Sequence, residues 1–393
     1  MMCDAKMNSI GIDSLSFYVP HAQLELKTMA ERHGIDPDKF TLGIGQEKIA
    51  LTGFDEDIVT LGAEAARPII EAHGADGIDT LFFATESGID QSKSAGIYVH
   101  RLLDLPPNCR NVELKQACYS ATAALQMACG HVARKPDSKV LIIASDVSRY
   151  DLNTSAEATQ GCCAVAMLVS ANPKLLAIDP VSGCFTEDIM DFWRPNYRNT
   201  PLVDGKYSAL RYLNALVQCW KDYQTNGGRS YEEFAHFCFH LPFSRMGEKG
   251  HRHLAGLAEA KADPELCKSG MIYNREVGNC YAASLYLSLI SALENTEGDL
   301  SGKPIGLYSY GSGAVAEFFS AVVQPGYKEH LMPARHRKLL ADREALSYDA
   351  YLALRDLPDP RDGSAVEMPH TARGRYRLAK IDGHKRHYVD AAG

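Results

Sequence analysis

The sequence predicts an α/β protein built by internal duplication, with apolar strands covered on both faces by helices. Near-continuous apolar runs, Thr80-Leu-Phe-Phe-Ala-Thr85, Lys139-Val-Leu-Ile-Ile-Ala-Ser145 and Cys163-Ala-Val-Ala-Met-Leu-Val169, alternate with helix-length segments. Strands buried between two helical layers read this way. Two segments also recur in the same order. Ala117-Cys-Tyr-Ser-Ala-Thr-Ala-Ala-Leu125 resembles Asn279-Cys-Tyr-Ala-Ala-Ser-Leu-Tyr-Leu287, and Gly161-Cys-Cys-Ala-Val-Ala-Met167 resembles Gly311-Ser-Gly-Ala-Val-Ala-Glu317. With 393 residues, 46% of them hydrophobic, the chain is long enough for one duplicated fold.

Taken in order, Ile10 to Val19 reads as the first strand, with no apolar signal segment before it. Helices are expected over 59–72, 92–103 and 118–132, the last rich in small residues that suit close packing. A boundary near Asn172-Pro173 divides the chain into halves, 1–172 and 173–393. Residues 187–268 are more polar, and an irregular insertion over the active-site face is expected there. The C-terminal basic cluster, Arg373 to Lys380 and His384 to His387, reads as a solvated strand and turn.

The net charge of −8, from 41 basic and 49 acidic residues, argues against nucleic acid as a partner. Eleven cysteines with no Cys-x-x-Cys pair fit neither a zinc site nor a disulfide framework, and point to a reducing cytoplasm. No apolar run approaches the ~20 residues that span a bilayer, so no membrane role is expected.

Three residues carry candidate chemistry. Cys118 stands where an extended segment gives way to a helix, and the exposed N–H groups of a helix start favour a thiolate. Glu86 follows the strand ending at Thr85. In an apolar pocket, desolvation raises a carboxylate's pKa and makes it a usable base. His240 ends the run Phe234-Ala-His-Phe-Cys-Phe-His240, whereas His236 within that run reads as a core residue. The glycine-rich turn Tyr308-Ser-Tyr-Gly-Ser-Gly313 follows a strand and allows backbone N–H groups to approach an oxyanion.

Together these segments resemble 3-hydroxy-3-methylglutaryl-CoA synthase, of the thiolase superfamily. The resemblance runs through Asp55-Glu-Asp-Ile-Val-Thr60, Ala84-Thr-Glu86-Ser, Lys115-Gln-Ala-Cys118-Tyr, Ala144-Ser-Asp146, Asp191-Phe-Trp-Arg-Pro195, Val203-Asp-Gly-Lys206, Phe239-His240-Leu-Pro-Phe243, Tyr273-Asn-Arg-Glu-Val-Gly-Asn279 and Tyr308 to Gly313. The separation of Cys118 and His240 resembles the compact bacterial branch. The resemblance implies a five-layer αβαβα thiolase-like fold, a cytoplasmic homodimer, acyl-CoA substrates, and no metal or other cofactor.

It also implies roles. Cys118 takes the acetyl group of acetyl-CoA, and Glu86 is the general acid/base of the condensation with acetoacetyl-CoA. His240 polarises the acceptor and Asn279 stands beside it. The N–H groups of Cys118 and Ser312 form the oxyanion hole, with Tyr310, Gly311 and Thr159 around the substrate. Arg245 and Lys249 stand where the family carries lysines near the CoA phosphates. Two departures stand out: Cys162 and Cys163 replace small residues near the acyl site, where they are expected to narrow the pocket or alter the loop, and Glu248 replaces a position often basic.

The main alternative is a polyketide β-branching relative that runs the same chemistry on acyl carrier proteins. A ketosynthase or thiolase has no need of Glu86. A non-catalytic acyl-CoA-binding homologue has no need of the full Glu86, Cys118, His240 and Asn279 set.

Overall fold

The computed structural model describes residues 9–355 and 360–391. The first half comprises β1 (Ile10–Tyr18), α1 (Ile58–His73), β2 (Ile78–Ala84), β3 (Arg110–Leu114), α2 (Ser120–Arg134), β4 (Lys139–Val147) and β5 (Cys162–Ala171). The second comprises β6 (Leu176–Thr186), α3 (Gly205–Thr225), β7 (His236–Phe239), α4 (Met246–Leu257), α5 (Ser284–Asn295), β8 (Pro304–Gly311) and β9 (Val315–Val323).

Duplication is visible in the pairing. In the first half β2 and β4 run parallel, while β5 is antiparallel to both β4 and β1. In the second half β7 and β8 run parallel, while β9 is antiparallel to both β8 and β6. The halves join into one nine-stranded sheet of order β7-β8-β9-β6-β1-β5-β4-β2-β3. Among the described residues, their seam pairs only Gly11 with Ala177 and Ile12 with Leu176. A Cβ on Gly11 would lie 2.0 Å from the Leu176 carbonyl oxygen, so the halves meet there because residue 11 has no side chain.

Helices α2 and α5 fill the space between the two parts of the sheet, and the Thr122 hydroxyl of α2 reaches both Tyr286 of α5 (2.9 Å) and Ser309 of β8 (2.8 Å). Outside, α1 covers β1, β4 and β5, and α3 covers β6 and β9, which completes five layers. The start of α1 is fixed locally. Asp57 accepts from the Val59 N–H (2.9 Å) and Thr60 N–H (3.3 Å), while the Thr60 hydroxyl accepts from the Asp57 N–H (2.9 Å).

The expected insertion over 187–268 is corrected. This segment holds α3, β7 and α4, and α3 and β7 are the second half's counterparts of α1 and β2. Helix α3 escapes a reading by mean polarity because its apolar residues lie on one stripe. Tyr212, Ala215, Leu216, Cys219, Trp220 and Tyr223 recur at helical spacing and are buried, while the other face stays polar. The C-terminal residues also leave their half. The hairpin of β10 (Tyr376–Asp382) and β11 (Lys385–Asp390) packs on the first half, where Asp55 accepts from the Thr371 and Ala372 N–H groups (3.0 and 2.8 Å).

Candidate active site

Cys118 precedes α2, and Ala117 before it has φ of 43°. That left-handed conformation costs a non-glycine residue about 1 kcal/mol, and it turns the chain so that Cys118 faces a cavity of about 470 Å³. The size suits a small-molecule site. Cys118, Thr159, His240, Asn279, Tyr310 and Ser312 all line it, although they come from separate segments of both halves.

Glu86 stands beside the nucleophile: the Cys118 thiol donates to its Oε2 at 3.3 Å. Asp146, at the end of β4, holds the Glu86 turn in place. Its Oδ1 accepts from the Thr85 hydroxyl (2.8 Å) and from the N–H groups of Glu86 (2.9 Å) and Ser87 (3.0 Å). Its Oδ2 accepts from the Ala282 N–H at 3.0 Å, tying the two halves together under the site. Arg194 adds a hydrogen bond to the Glu86 carbonyl oxygen.

The electrostatics follow from this packing. Desolvation, reinforced by the Asp146 charge, raises the Glu86 pKa, against the opposing pull of the Cys118 hydrogen bond and of Arg194. Desolvation, followed by the charges of Glu86 and Asp146, raises Cys118 well above the ordinary thiol value. The expectation of a thiolate favoured by the helix start is therefore corrected. Cys118 rests as a neutral thiol, because burial and a neighbouring carboxylate outweigh helix-terminal N–H groups that begin two residues later.

His240 follows β7 directly. Its N–H donates to the Tyr308 carbonyl (2.8 Å), its carbonyl accepts from the Tyr212 hydroxyl (2.9 Å), and its ring lines the cavity with Nδ1 lacking a partner among the described residues. Burial lowers its pKa to about 3, so the ring is neutral at pH 7. Asn279 is held by its own backbone, which donates to the Thr159 carbonyl (2.9 Å), and its Nδ2 donates to the Tyr150 hydroxyl (3.3 Å). His236 bears out the core reading: it is buried, with Nε2 3.3 Å from the Ser269 hydroxyl oxygen.

The glycine-rich turn meets the nucleophile's loop by close approach. A Cβ on Gly311 would lie 2.6 Å from the Gln116 carbonyl oxygen and 2.7 Å from the Tyr119 nitrogen. Gln116 Nε2 donates to the Ser312 carbonyl at 3.2 Å. Asp191 pins the same turn, accepting from the Gly313 N–H (2.9 Å), the Tyr310 hydroxyl (2.7 Å) and the Ser208 hydroxyl (2.9 Å).

The remaining expectations fare differently. Cys162 and Cys163 lie in β5 with 1% and 0% exposure and do not line this cavity, so they neither narrow it nor belong to its loop. Arg245 turns away from it: Nε donates to Glu248 (3.1 Å) and a second guanidinium N–H to the Leu42 carbonyl. Lys249 is exposed, with Nζ 5.0 Å from the ring centre of Phe243, which lines the cavity.

Residue-level reading missed the wall. Tyr150, Phe192 and Tyr281 pack edge to face around Cys118, with ring centres 5.8 to 6.3 Å apart. It also left Asp146 and Asp191 without roles, although both stand inside motifs that carry the resemblance.

Comparison with known proteins identifies a family. Residues 6–174 match the family described as hydroxymethylglutaryl-coenzyme A synthase N terminal, and residues 176–264 and 252–388 match its C-terminal counterpart. The hydroxymethylglutaryl-CoA synthase of Enterococcus faecalis is 43% identical over 349 residues, covering 88% of this chain and 91% of that protein. The polyketide biosynthesis 3-hydroxy-3-methylglutaryl-ACP synthase PksG of Bacillus subtilis is 34% identical over 370 residues, covering 88% and 87%. Among solved structures, an HMG-CoA synthase complexed with CoA superposes with a TM-score of 0.93 at 40% identity, covering 97% of this chain and 100% of that one. The HMG synthase of the curacin biosynthetic pathway, in complex with a holo donor ACP, superposes with a TM-score of 0.89 at 34% identity, covering 97% and 100%.

Proposed function

This chain belongs to the hydroxymethylglutaryl-coenzyme A synthase family, and on that premise we propose that it condenses acetyl-CoA with acetoacetyl-CoA. The products are 3-hydroxy-3-methylglutaryl-CoA and free CoA, at the entry to the mevalonate route to isoprenoids. The observation that carries the reading is the Cys118 thiol hydrogen-bonded to Glu86 at a cavity shared with His240 and Asn279.

Cys118 attacks the acetyl thioester as its proton passes to the Glu86 carboxylate. CoA leaves with a proton, and the acetyl group rests on Cys118. The developing oxyanion is received by the N–H groups of Cys118 and Ser312, in the turn that Asp191 holds. Glu86 then removes a proton from the acetyl methyl group, its raised pKa making it a stronger base than a solvated carboxylate. The carbanion adds to the C3 carbonyl of the acceptor, polarised by neutral His240 with Asn279 beside it. Glu86 returns the proton to the new alkoxide, and water cleaves the thioester to free Cys118.

These steps involve no net oxidation or reduction, and the proposal includes no metal or other cofactor. The proposal includes a cytoplasmic homodimer. Among the described residues no helix is long and apolar enough to cross a membrane.

One observation favours a second reading. Arg245, expected near the CoA phosphates, is already engaged by Glu248 and the Leu42 carbonyl, which suits a donor carried on a protein. The higher identity to the Enterococcus faecalis enzyme than to PksG favours CoA. The test is product mass spectrometry with acetyl-CoA or acetyl-carrier protein as donor and, in parallel, acetoacetyl-CoA or acetoacetyl-carrier protein as acceptor. Cys118-dependent 3-hydroxy-3-methylglutaryl-CoA supports the first reading, and product on the carrier protein alone supports the second.

A further inference from the structure

Glu317, on β9, is a buried carboxylate that the condensation does not use. It is 2% exposed and has no ion-pair partner among the described residues. Its oxygens are instead held by neutral donors: the Tyr119 hydroxyl on Oε2 and Gln126 Nε2 on Oε1, both at 2.7 Å, with the Ser182 hydroxyl as a third. Burying a carboxylate without a cation costs several kcal/mol unless hydrogen bonds offset it, so a site that retains one draws attention to what its donors do. Tyr119 and Gln126 belong to the nucleophile's own segment, and Ser182 lies on the adjoining strand β6. Tyr119 follows Cys118 directly, and Gln126 lies on α2.

We propose that Glu317 is a positioning residue for the acylation step, holding Tyr119 so that Cys118 and its N–H keep their place opposite Ser312. The inference rests on the reading of Cys118 as the acetyl-accepting nucleophile. Tyr119 is gripped at both ends. Its backbone lies against Gly311, whose absent Cβ would come within 2.7 Å of the Tyr119 nitrogen, and its phenol ends on Glu317. The oxyanion pair is split between the two segments in contact here, Cys118 on one and Ser312 on the other. A loose Tyr119 therefore changes the spacing of the two N–H groups, and displacements of about 1 Å cost on the order of 10²-fold in rate.

A carboxylate suits this place because it only accepts. Glutamine keeps an acceptor for the Tyr119 hydroxyl, and its NH₂ group finds an acceptor if the Gln126 amide turns over. Alanine leaves the phenol buried without a partner.

The test is single-turnover acetylation of Cys118 by acetyl-CoA, followed by intact-protein mass spectrometry across donor concentration, with thermal melting as the folding control. Glu317→Ala and Tyr119→Phe are each expected to slow the acetylation step about tenfold or more, with unchanged half-saturation by acetyl-CoA. Glu317→Gln is expected to stay within about threefold of the parent protein, and the Glu317→Ala/Tyr119→Phe double variant to be no slower than either single one. A folded Glu317→Ala protein acetylated at the parent rate overturns the inference, as does multiplication of the two single effects. If Glu317→Ala does not fold, Tyr119→Phe decides, and a parent-like rate overturns it. A parent protein that is not acetylated on Cys118 overturns the nucleophile reading itself, a different result from normal acetylation of the variants.

Discussion

The Cys118 thiol donates to Oε2 of Glu86 across 3.3 Å, although the residues lie 32 positions apart in sequence. This contact gives the thiol proton a destination. It also sets the charge state of both groups, because burial of a thiol beside a carboxylate disfavours a second negative charge.

Removing the charge of Glu86 separates the two halves of the reaction. Glu86→Gln takes away the thiol proton's acceptor but also the charge that raises the Cys118 pKa, so acetylation of Cys118 is expected to persist at a reduced rate, with the proton passing to solvent. Condensation, which needs a proton taken from the acetyl methyl group, is expected to fall about 10²- to 10⁴-fold. Mass spectrometry of the acyl-enzyme beside steady-state product formation reads both. A variant that turns over normally removes Glu86 from the proton transfer, and Cys118→Ala is expected to abolish both steps.

On the proposed reaction, His240 serves the acceptor and not the donor. His240→Asn is expected to leave Cys118 acetylation intact and to lower kcat/KM for acetoacetyl-CoA about 10- to 100-fold, because the acceptor carbonyl loses its hydrogen-bonding ring. Separate titrations of donor and acceptor check this, and an effect confined to the donor would move His240 to the acylation step.

Asp191 acts through the turn it pins. Asp191→Ala frees the Gly313 N–H and the Tyr310 hydroxyl together, and misplaces Ser312 between them. Cys118 acetylation is expected to fall about 10²-fold, the scale of losing one oxyanion donor. Stopped-flow release of CoA measures it, and a parent-like burst would show that the turn holds without Asp191.

His236 gives a pH signature in stability. Burial, then the neighbouring His251, holds its pKa down to about 4, against about 6.5 for an exposed histidine. Between those values the unfolded chain binds a proton that the folded protein does not, so this group makes stability fall as pH falls. The limiting slope is about 1.4 kcal/mol per pH unit. His236→Asn is expected to show a shallower loss between pH 6.5 and 4 in denaturant titrations, and an unchanged slope would show that His236 titrates normally in the fold.

Lys249 and Arg245 are expected to part company. Lys249→Ala is expected to raise KM for acetyl-CoA about threefold and to leave KM for acetyl-pantetheine, which lacks the nucleotide phosphates, unchanged. Arg245→Ala is expected to change neither, because its guanidinium already pairs with Glu248 and the Leu42 carbonyl. Equal effects on both donors would place Lys249 away from the phosphates.

Much of this was legible along the chain. The apolar runs specify β2, β4 and β5, and the echo of residues 117–125 in 279–287 locates the two central helices. The local setting of Cys118 and the end-of-strand places of Glu86 and His240 marked the chemistry. Helix α3 was not legible from average polarity, since an amphipathic stripe vanishes when both faces are counted together. Nor were the aromatic walls, because Tyr150, Phe192 and Tyr281 come from distant segments and carry no local chemical signal of their own.

The sequence by itself determined the element pattern, the duplication and the candidates for the reacting side chains, because hydrophobic periodicity and residue chemistry are local properties. Only the tertiary structure decided their charge states and their supports. Desolvation and through-space charge depend on what lies within a few ångströms, and those neighbours come from across the chain. Asp146 supports Glu86 from 60 residues away, Glu317 supports Tyr119 from 198 residues away, and the helix start that favoured a thiolate gave way to the carboxylate folded against it.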